Sequence, residues 1–125
     1  MSQDRSIEQF LRDMRETADL VNKFVADTDE VTFTTEPGAS WAIERGVIQL
    51  GEIASQMRDR HPEYLEEHPE LDPGGLRALR NIVVHGYAQL DLGRVWQIAV
   101  ENVPELGDSA HAALAELTRD AGLER

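Results

Sequence analysis

Cysteine is absent from this 125-residue chain, so neither disulfide bonds nor thiolate chemistry is available to it. No apolar run approaches the roughly 18 residues that a membrane span requires. The first residues also lack the basic and apolar regions of a signal peptide. These absences argue against a disulfide-stabilised secreted fold and a membrane partner, and we expect a cytoplasmic protein.

Basic residues are scarce as well, with 12 Lys and Arg against 24 Asp and Glu, a formal net charge of −12. A surface this acidic repels phosphate backbones, so broad electrostatic binding of nucleic acid is not expected. A nucleic-acid substrate held in a confined cationic cleft and a basic protein partner both stay open. Length and composition fit one domain, residues 1–125, with poorly ordered ends expected at 1–5 and 121–125.

Apolar residues recur at helical spacing through most of the chain, and no segment alternates as a strand does. Ser6-Ile7-Glu8-Gln9 is a capping box that predicts a first helix ending near residue 27. A second helix is predicted from about 39 to 60. The polar, β-branched segment 27–38 indicates a loop, with Phe33 as its anchor. The pattern predicts an all-α bundle of four to five helices.

Proline divides the second half of the chain. Residues 61–73 hold three of the five prolines and are predicted to break the helical pattern. Asp72-Pro73 favours the start of a new helix that ends near Leu90, and Asp91 can cap the helix that follows. A break or kink is expected at Pro104, before a last helix. The inward face of the helix before that break is predicted to comprise Leu92, Val95, Trp96, Ala99 and Val100.

Residues 76–90 are the part of the chain most suggestive of chemistry. Wound as a helix, they place an apolar stripe on one side. The polar side carries Arg77, Arg80, Asn81, His85 and Tyr87. Because no acidic residue lies between Asp72 and Asp91, this side is locally cationic in an otherwise acidic chain. An ordinary amphipathic helix with solvated arginines fits the same pattern equally well.

The polar side holds the groups that RNA cleavage needs. His85 titrates near neutrality and can accept or donate a proton, whereas Arg80 stays charged and suits phosphate oxygens. RNA supplies its own nucleophile, the 2′-hydroxyl, so a metal is not required in principle. Asn81, four residues before His85, can orient the imidazole or contact the substrate.

The segment Arg80-Asn81-Ile82-Val83-Val84-His85-Gly86-Tyr87 resembles the Arg-(polar)-x-x-x-His-x-Tyr signature of HEPN-superfamily ribonucleases. Residues 42–54 and the stretch from 79 to 106 are similar to the HepT-like branch, the toxin half of HepT/MNT toxin–antitoxin pairs. In register, the resemblance covers roughly residues 36–106. Several segments therefore agree in order and spacing.

The resemblance implies a helical-bundle homodimer in which the motif helices form a composite ribonuclease cleft without metal or cofactor. Arg80 and His85 match the catalytic positions, and Asn81 occupies the supporting polar position. Tyr87 matches the tyrosine that a minimal nucleotidyltransferase antitoxin can modify with AMP. The dimer can also assemble with that antitoxin into a larger hetero-oligomer. The alternative is a non-catalytic dimerisation or nucleotide-binding module that partners a nucleotidyltransferase.

Other charged residues have both a functional and a structural interpretation. Arg77 and Arg45 are candidate contacts to RNA phosphate, and solvated arginines fit the same positions. Glu52, on the same helix as Arg45, is expected to form solvated or interhelical ion pairs, with a place in the cleft as the less favoured alternative. The acidic run 63–72 is interpreted as a solvated face that can also attract a basic partner.

The remaining histidines and the tryptophans are expected to be structural. His61 and His68 lie seven residues apart across proline breaks, which matches no metal-ligand spacing, and no metal site is predicted. His111 stands alone on an alanine-rich helix and is expected to be structural or exposed. Trp41 and Trp96 are predicted to pack in the core, with base stacking as the less favoured alternative.

Overall fold

The computed structural model describes residues 5–74, 76 and 91–122, and within them the all-α prediction is confirmed. The helices are α1 (Ile7–Ala26), α2 (Glu30–Thr35), α3 (Trp41–Arg60), α4 (Pro62–Glu67), α5 (Leu92–Gln97) and α6 (Val103–Gly122). A 3₁₀ turn spans Pro69–Leu71 and a π-helical segment spans Ile98–Asn102. In these ranges no helix is long and apolar enough to cross a membrane. Of the ends predicted to be poorly ordered, the described part includes only Arg5 and residues 121–122.

Helix α1 begins at the predicted capping box. The Ser6 hydroxyl accepts a hydrogen bond from the Gln9 amide at 3.1 Å, and the Gln9 side chain accepts one from the Ser6 amide at 2.8 Å. These two bonds satisfy amides that have no partner within the helix. The predicted end near residue 27 is confirmed, because α1 stops at Ala26.

The core forms where α1 packs against both α3 and α6. The apolar stripe of α3 is buried, as are four apolar residues of α6: Ile43, Val47, Leu50, Ile53, Ala54 and Met57, and Leu106, Ala110, Ala113 and Leu114. The largest fully buried side chains are Phe10, Phe33, Leu11, Met14, Ile43, Leu50, Met57, Leu71, Leu76, Ile98, Leu106 and Val21. Apolar burial on this scale is the main force that holds the three long helices together.

The loop predicted for residues 27–38 is wrong in its centre, which forms α2. Asp29 caps this helix by accepting a hydrogen bond from the Thr32 amide at 2.8 Å. The Thr34 and Thr35 hydroxyls bond to carbonyls four residues earlier, at 2.8 and 2.6 Å. The predicted anchor is confirmed, since Phe33 is fully buried. A local cap and one buried ring therefore favour a helix in a stretch whose composition indicates a loop.

Proline ends α3 as predicted, but it also starts new turns. Helix α3 stops at Arg60, and Pro62 and Pro69 occupy the first turns of α4 and of the 3₁₀ turn. His61, His68 and Asp72, each directly before a proline, share nearly the same backbone, with φ between −132° and −136° and ψ between 56° and 64°. Proline disfavours helical geometry at the preceding residue and is accommodated at the first position of a helix.

Helix α5 continues through the π-helical segment into α6. The break or kink predicted at Pro104 is therefore a π-helical segment that ends just before this proline. The Val103 amide donates to the Ile98 carbonyl, five residues back. The extra residue in this turn changes which side faces inward. Val95 and Ala99 are buried as predicted, and Leu92 and Trp96 are partly buried. The prediction for Val100 is wrong, because Val100 is exposed and Ile98 takes the buried position.

Candidate functional site

The residues with the strongest chemical signal lie in the segment 77–90. Arg77, Arg80, Asn81, His85 and Tyr87 are outside the part of the chain that the structure describes. The predicted helix across this segment is likewise outside it. The structure does describe the residues that immediately flank the segment, and these determine where its two ends attach to the fold.

The N-terminal flank attaches to the end of α3. The Asp72 carboxylate accepts hydrogen bonds from Arg58 at 3.2 and 3.3 Å, and the Asp72 side chain is only 6% exposed. Asp72 was expected in the solvated acidic face, and that expectation is wrong, whereas Glu63 and Glu70 are exposed. Leu76 is buried in the core. A partly buried charge pair and a core leucine therefore hold the chain immediately before residue 77.

The C-terminal flank is the cap of α5. The Asp91 carboxylate accepts hydrogen bonds from the amides of Gly93 at 3.0 Å and Arg94 at 3.2 Å, as predicted for a capping aspartate. Val95, on the first turn of α5, is buried in the core. The described residues on either side of the motif segment, Leu76 and Asp91, thus both have defined contacts in the fold.

A described candidate residue, Arg45, lies on the exposed side of α3. It lines a cavity of about 150 Å³ between α1 and α3. The lining residues are Thr17, Leu20, Val21, Phe24, Ala42, Arg45, Gly46 and Gln49. Gly46 lets the two helices approach closely, because a Cβ placed there would lie 2.4 Å from Cγ2 of Val21. Arg45 is thereby positioned beside an apolar recess on the surface.

The two tryptophans differ, and the prediction of packing holds for only one. The Trp96 ring lies 5.2 Å from the Phe33 ring and packs against the core. Trp41, at the start of α3, is 74% exposed. The prediction that Trp41 packs in the core is therefore wrong. Helical spacing shows which residues share a side, but at the first turn of α3 it does not show where the core ends.

Glu44, on the first turn of α3, is a buried carboxylate that the sequence analysis did not single out. It is 8% exposed and accepts a short hydrogen bond from the hydroxyl of Ser40, which is also buried. Ser40 has helical backbone geometry and makes no side-chain cap. The signal available in the sequence was the spacing of four residues between a hydroxyl and a carboxylate.

The described histidines have structural partners. Nε2 of His61 lies 2.8 Å from the Arg5 carbonyl oxygen, and Nδ1 of His68 lies 3.0 Å from the Tyr64 carbonyl oxygen. His111 is half exposed and its Nε2 lies 3.5 Å from the carboxylate of Asp19. Within the described ranges, no group of three or more His, Asp or Glu side chains could hold a metal ion.

Of the two tyrosines, Tyr64 lies within the described residues. Its ring stacks on the His68 ring, with 4.2 Å between the ring centroids. Burial raises the pKa of its hydroxyl above the ordinary value of 10, and the carboxylates of Glu116, Glu70 and Glu67 raise it further. The phenol therefore stays protonated through the physiological range. Its ring is partly buried against the core.

Comparison with known proteins identifies the family. The chain matches the family described as "Ribonuclease HepT-like" over residues 14–112. A Methanocaldococcus jannaschii protein named as a presumed RNase is 28% identical over 102 residues, covering 82% of this chain and 91% of the relative. A Thermococcus cleftensis protein named as a probable ribonuclease HepT is 22% identical, covering 82% of this chain and 90% of the relative. No solved structure gives a match of comparable significance.

The family match extends across α3, the whole segment 77–90 and α5. It begins in the middle of α1 and ends in the middle of α6, so it includes part of each of these two helices and the whole of α3. The all-α architecture, with α1 packed between two other long helices, is the HEPN-type bundle that the sequence resemblance implied. The chain belongs to the HepT-like ribonuclease family.

Proposed function

We propose that this protein is a metal-independent endoribonuclease, the toxin of a toxin–antitoxin pair whose antitoxin is a minimal nucleotidyltransferase. The observation that carries the proposal is the family match over residues 14–112, which contains the complete motif from Arg80 to Tyr87. The names of the archaeal relatives support the same activity. We expect such a toxin to act as a soluble protein in the cytoplasm.

The proposed reaction uses groups that the motif supplies. His85 removes the proton from a 2′-hydroxyl, whose oxygen attacks the adjacent phosphorus while the bond to the 5′-oxygen breaks. The products are a 2′,3′-cyclic phosphate and a 5′-hydroxyl, which takes up a proton. Arg80 stabilises the charge that builds on the phosphate oxygens, and Asn81 orients the imidazole or the substrate. Two copies of the chain place their motifs across one cleft, so proton acceptor and donor need not come from one subunit.

Tyr87 is the proposed site of control. The antitoxin transfers AMP from ATP to the Tyr87 hydroxyl, which releases pyrophosphate and the phenol proton. The added bulk and negative charge beside Arg80 and His85 oppose the entry of RNA phosphate. Arg77 extends the cationic side of the segment by one helical turn. The dimer and the antitoxin can form a larger hetero-oligomer.

The contacts of the residues on either side of the motif segment support the proposal. The Arg58–Asp72 ion pair and Leu76 attach one end of the segment to α3 and the core. Asp91 attaches the other end to the first turn of α5. General acid–base catalysis requires such positioning, because proton transfer occurs only within hydrogen-bonding reach.

The test is induced expression of the wild type and of His85→Ala and Arg80→Ala, together with RNA cleavage by the purified proteins in the presence of EDTA. Wild type should arrest growth and cleave RNA, but not RNA with a 2′-deoxy substitution at the cut site. Each variant should relieve the arrest and lower the cleavage rate by about 10²–10⁴-fold, the usual contribution of a general acid or base.

His111→Ala and Arg119→Ala are matched controls, because they remove one histidine and one arginine from exposed positions on α6. Both should remain toxic and active. If the motif variants fold and cleave as fast as the wild type, the catalytic assignment is wrong. Wild-type protein that cleaves no RNA, yet binds a nucleotidyltransferase stably, would instead support the non-catalytic module.

A further inference from the structure

The exposed ring of Trp41 begins a strip of non-acidic residues on the surface of α3. Trp41, Arg45 and Gln49 are spaced by four residues, so they lie on one side of the helix over a rise of roughly 12 Å. All three are exposed. A large exposed aromatic ring in line with a cation is an arrangement that the core of the bundle does not require.

The strip also lacks exposed negative charge, which is unusual in a chain with 24 acidic residues. From residue 37 to residue 51 the sequence contains a single acidic residue, Glu44. That carboxylate is buried and accepts the hydrogen bond from Ser40, so it does not face the strip. An anionic ligand would meet Arg45 here without the repulsion that it meets elsewhere on the surface.

Beside the strip, the cavity of about 150 Å³ offers an apolar recess with polar groups at its edge. Leu20 and Phe24 of α1, both substantially exposed, line it opposite Arg45 and Gln49. An aromatic wall, an amide and a guanidinium are the groups that proteins use to bind an unstacked nucleobase and its phosphate. Glu16 precedes Leu20 by one turn, which limits the favourable region to a short length of strand.

We propose that this face of α1 and α3 binds single-stranded RNA, with a base stacked on Trp41 and a phosphate on Arg45. The inference rests on the proposed ribonuclease function and adds a substrate-binding site outside the motif. The adjacent cavity, next to Phe24 and Gln49, receives a neighbouring base.

A second copy of the chain fits the same face less well. In a two-fold interface with its axis at the middle of the strip, Trp41 of one copy would meet Gln49 of the other, and the two Arg45 side chains would face each other. RNA has the complementary charge and the planar rings that the strip and cavity suit.

The first measurement uses tryptophan fluorescence. The chain has 2 tryptophans, so Trp96→Phe leaves Trp41 as the sole reporter and keeps an aromatic ring against Phe33. The probe is a six-nucleotide 2′-O-methyl oligouridine, which has no free 2′-hydroxyl and cannot be cleaved. Saturable quenching of Trp41 is expected. Absence of quenching at concentrations where the labelled oligonucleotide binds would overturn the proposal.

The second measurement is the Kd of the labelled oligonucleotide for variants. Trp41→Ala should weaken binding about tenfold, the order expected for loss of one stacked base, and Trp41→Phe should retain most of the affinity. Arg45→Gln should also lower the slope of log Kd against log salt by about 0.7, the contribution of one phosphate contact in a single strand. Val31→Ala and Arg119→Gln, at an exposed apolar site on α2 and an exposed arginine on α6, should change neither quantity.

Two outcomes separate this site from the activity itself. If the wild type cleaves RNA while Trp41→Ala keeps the KM and Kd of the wild type, the ribonuclease function stands and the stacking site is wrong. If acrylamide reaches Trp41 less as protein concentration rises without RNA, the face is a contact between copies, and the proposal is also overturned.

Discussion

Helix α1 is approached closely at two places, by α3 and by α6, and the approaching residue is glycine in both. A Cβ at Gly46 of α3 would lie 2.4 Å from Cγ2 of Val21, which is closer than real Cβ contacts allow. A Cβ at Gly107 of α6 would lie 3.3 Å from the Cβ of Ala18, a tight contact that a small shift relieves. The two crossings therefore look alike in sequence but differ in how much space they leave.

The difference comes from the residue that α1 presents to each partner. Val21 is β-branched and held to one rotamer in a helix, so its methyl group cannot easily turn away. Ala18 has no atom beyond Cβ. Glycine at residue 46 is required by the neighbour, whereas glycine at residue 107 is close to replaceable. The valine at the α1–α3 crossing also lines the proposed RNA-binding cavity, so packing and binding are coupled there.

The largest effect is expected from Gly46→Ala. Alanine should gain about 1 kcal/mol of helix propensity, but the overlap with Val21 should cost more than that gain. We expect net destabilisation of about 1–2 kcal/mol, measured as a lower urea midpoint with an unchanged m value.

The same crossing supplies its own control. Val21→Ala removes the methyl group that Gly46→Ala would meet, so the double variant should be less destabilised than the sum of the two single variants. A coupling of at least about 0.5 kcal/mol is expected for residues in contact. Strict additivity would show that the loss does not arise from this overlap.

A smaller effect is expected from Gly107→Ala. The gain in helix propensity, about 1 kcal/mol, should offset most of the strain from a 3.3 Å approach that needs only a few tenths of an ångström of movement. Stability should stay within about 1 kcal/mol of the wild type in the same urea titration. A loss as large as that of Gly46→Ala would contradict the distinction between the two crossings.

Much of the bundle could be predicted because apolar residues recur at helical spacing along long amphipathic helices. The α1 capping box, the buried stripe of α3 and the cap at Asp91 all follow from local spacing. Trp41 and Val100 were misplaced for tertiary reasons. Trp41 is the first residue of α3 and is exposed there, and Val100 lies within a π-helical segment that changes the register.

The short helices could not be predicted from the spacing of apolar residues, since one or two turns are too few to show a helical repeat. Helix α2 forms through the Asp29 cap and the burial of Phe33, and α4 begins at a proline that would otherwise signal a break. For the candidate site, the sequence named Arg45 but missed the Glu44–Ser40 hydrogen bond and the exposed Trp41. The assignment of Arg80, His85 and Tyr87 stays a prediction, carried by the family resemblance.

The smallest effect is expected at α2. Unlike the two glycine crossings, the start of α2 depends on a capping hydrogen bond and not on a close approach of two helices. The hydrogen bond from the Thr32 amide lowers the pKa of Asp29 below its ordinary value of 3.8, and the Thr32 hydroxyl lowers it further. Because the folded-state pKa is depressed, the stabilisation is present above about pH 4 and is lost as pH falls through the folded value.

Asp29→Asn should therefore keep the cap while removing this dependence on acid. Between about pH 4 and the lower folded-state pKa, the wild type should lose stability that Asp29→Asn does not lose. Asp29→Ala should be less stable at every pH because no side chain accepts the Thr32 amide. Trp96 reports the change locally, since its ring lies 5.2 Å from Phe33 of α2. Both proteins carry Trp41→Phe, so that Trp96 is the only fluorophore of its kind, and their fluorescence is followed through an acid titration. The protein with Asp29 should show a transition, and the amplitude of that transition should be lower with Asp29→Asn. Identical titrations for the two proteins would mean that α2 is held by Phe33 alone.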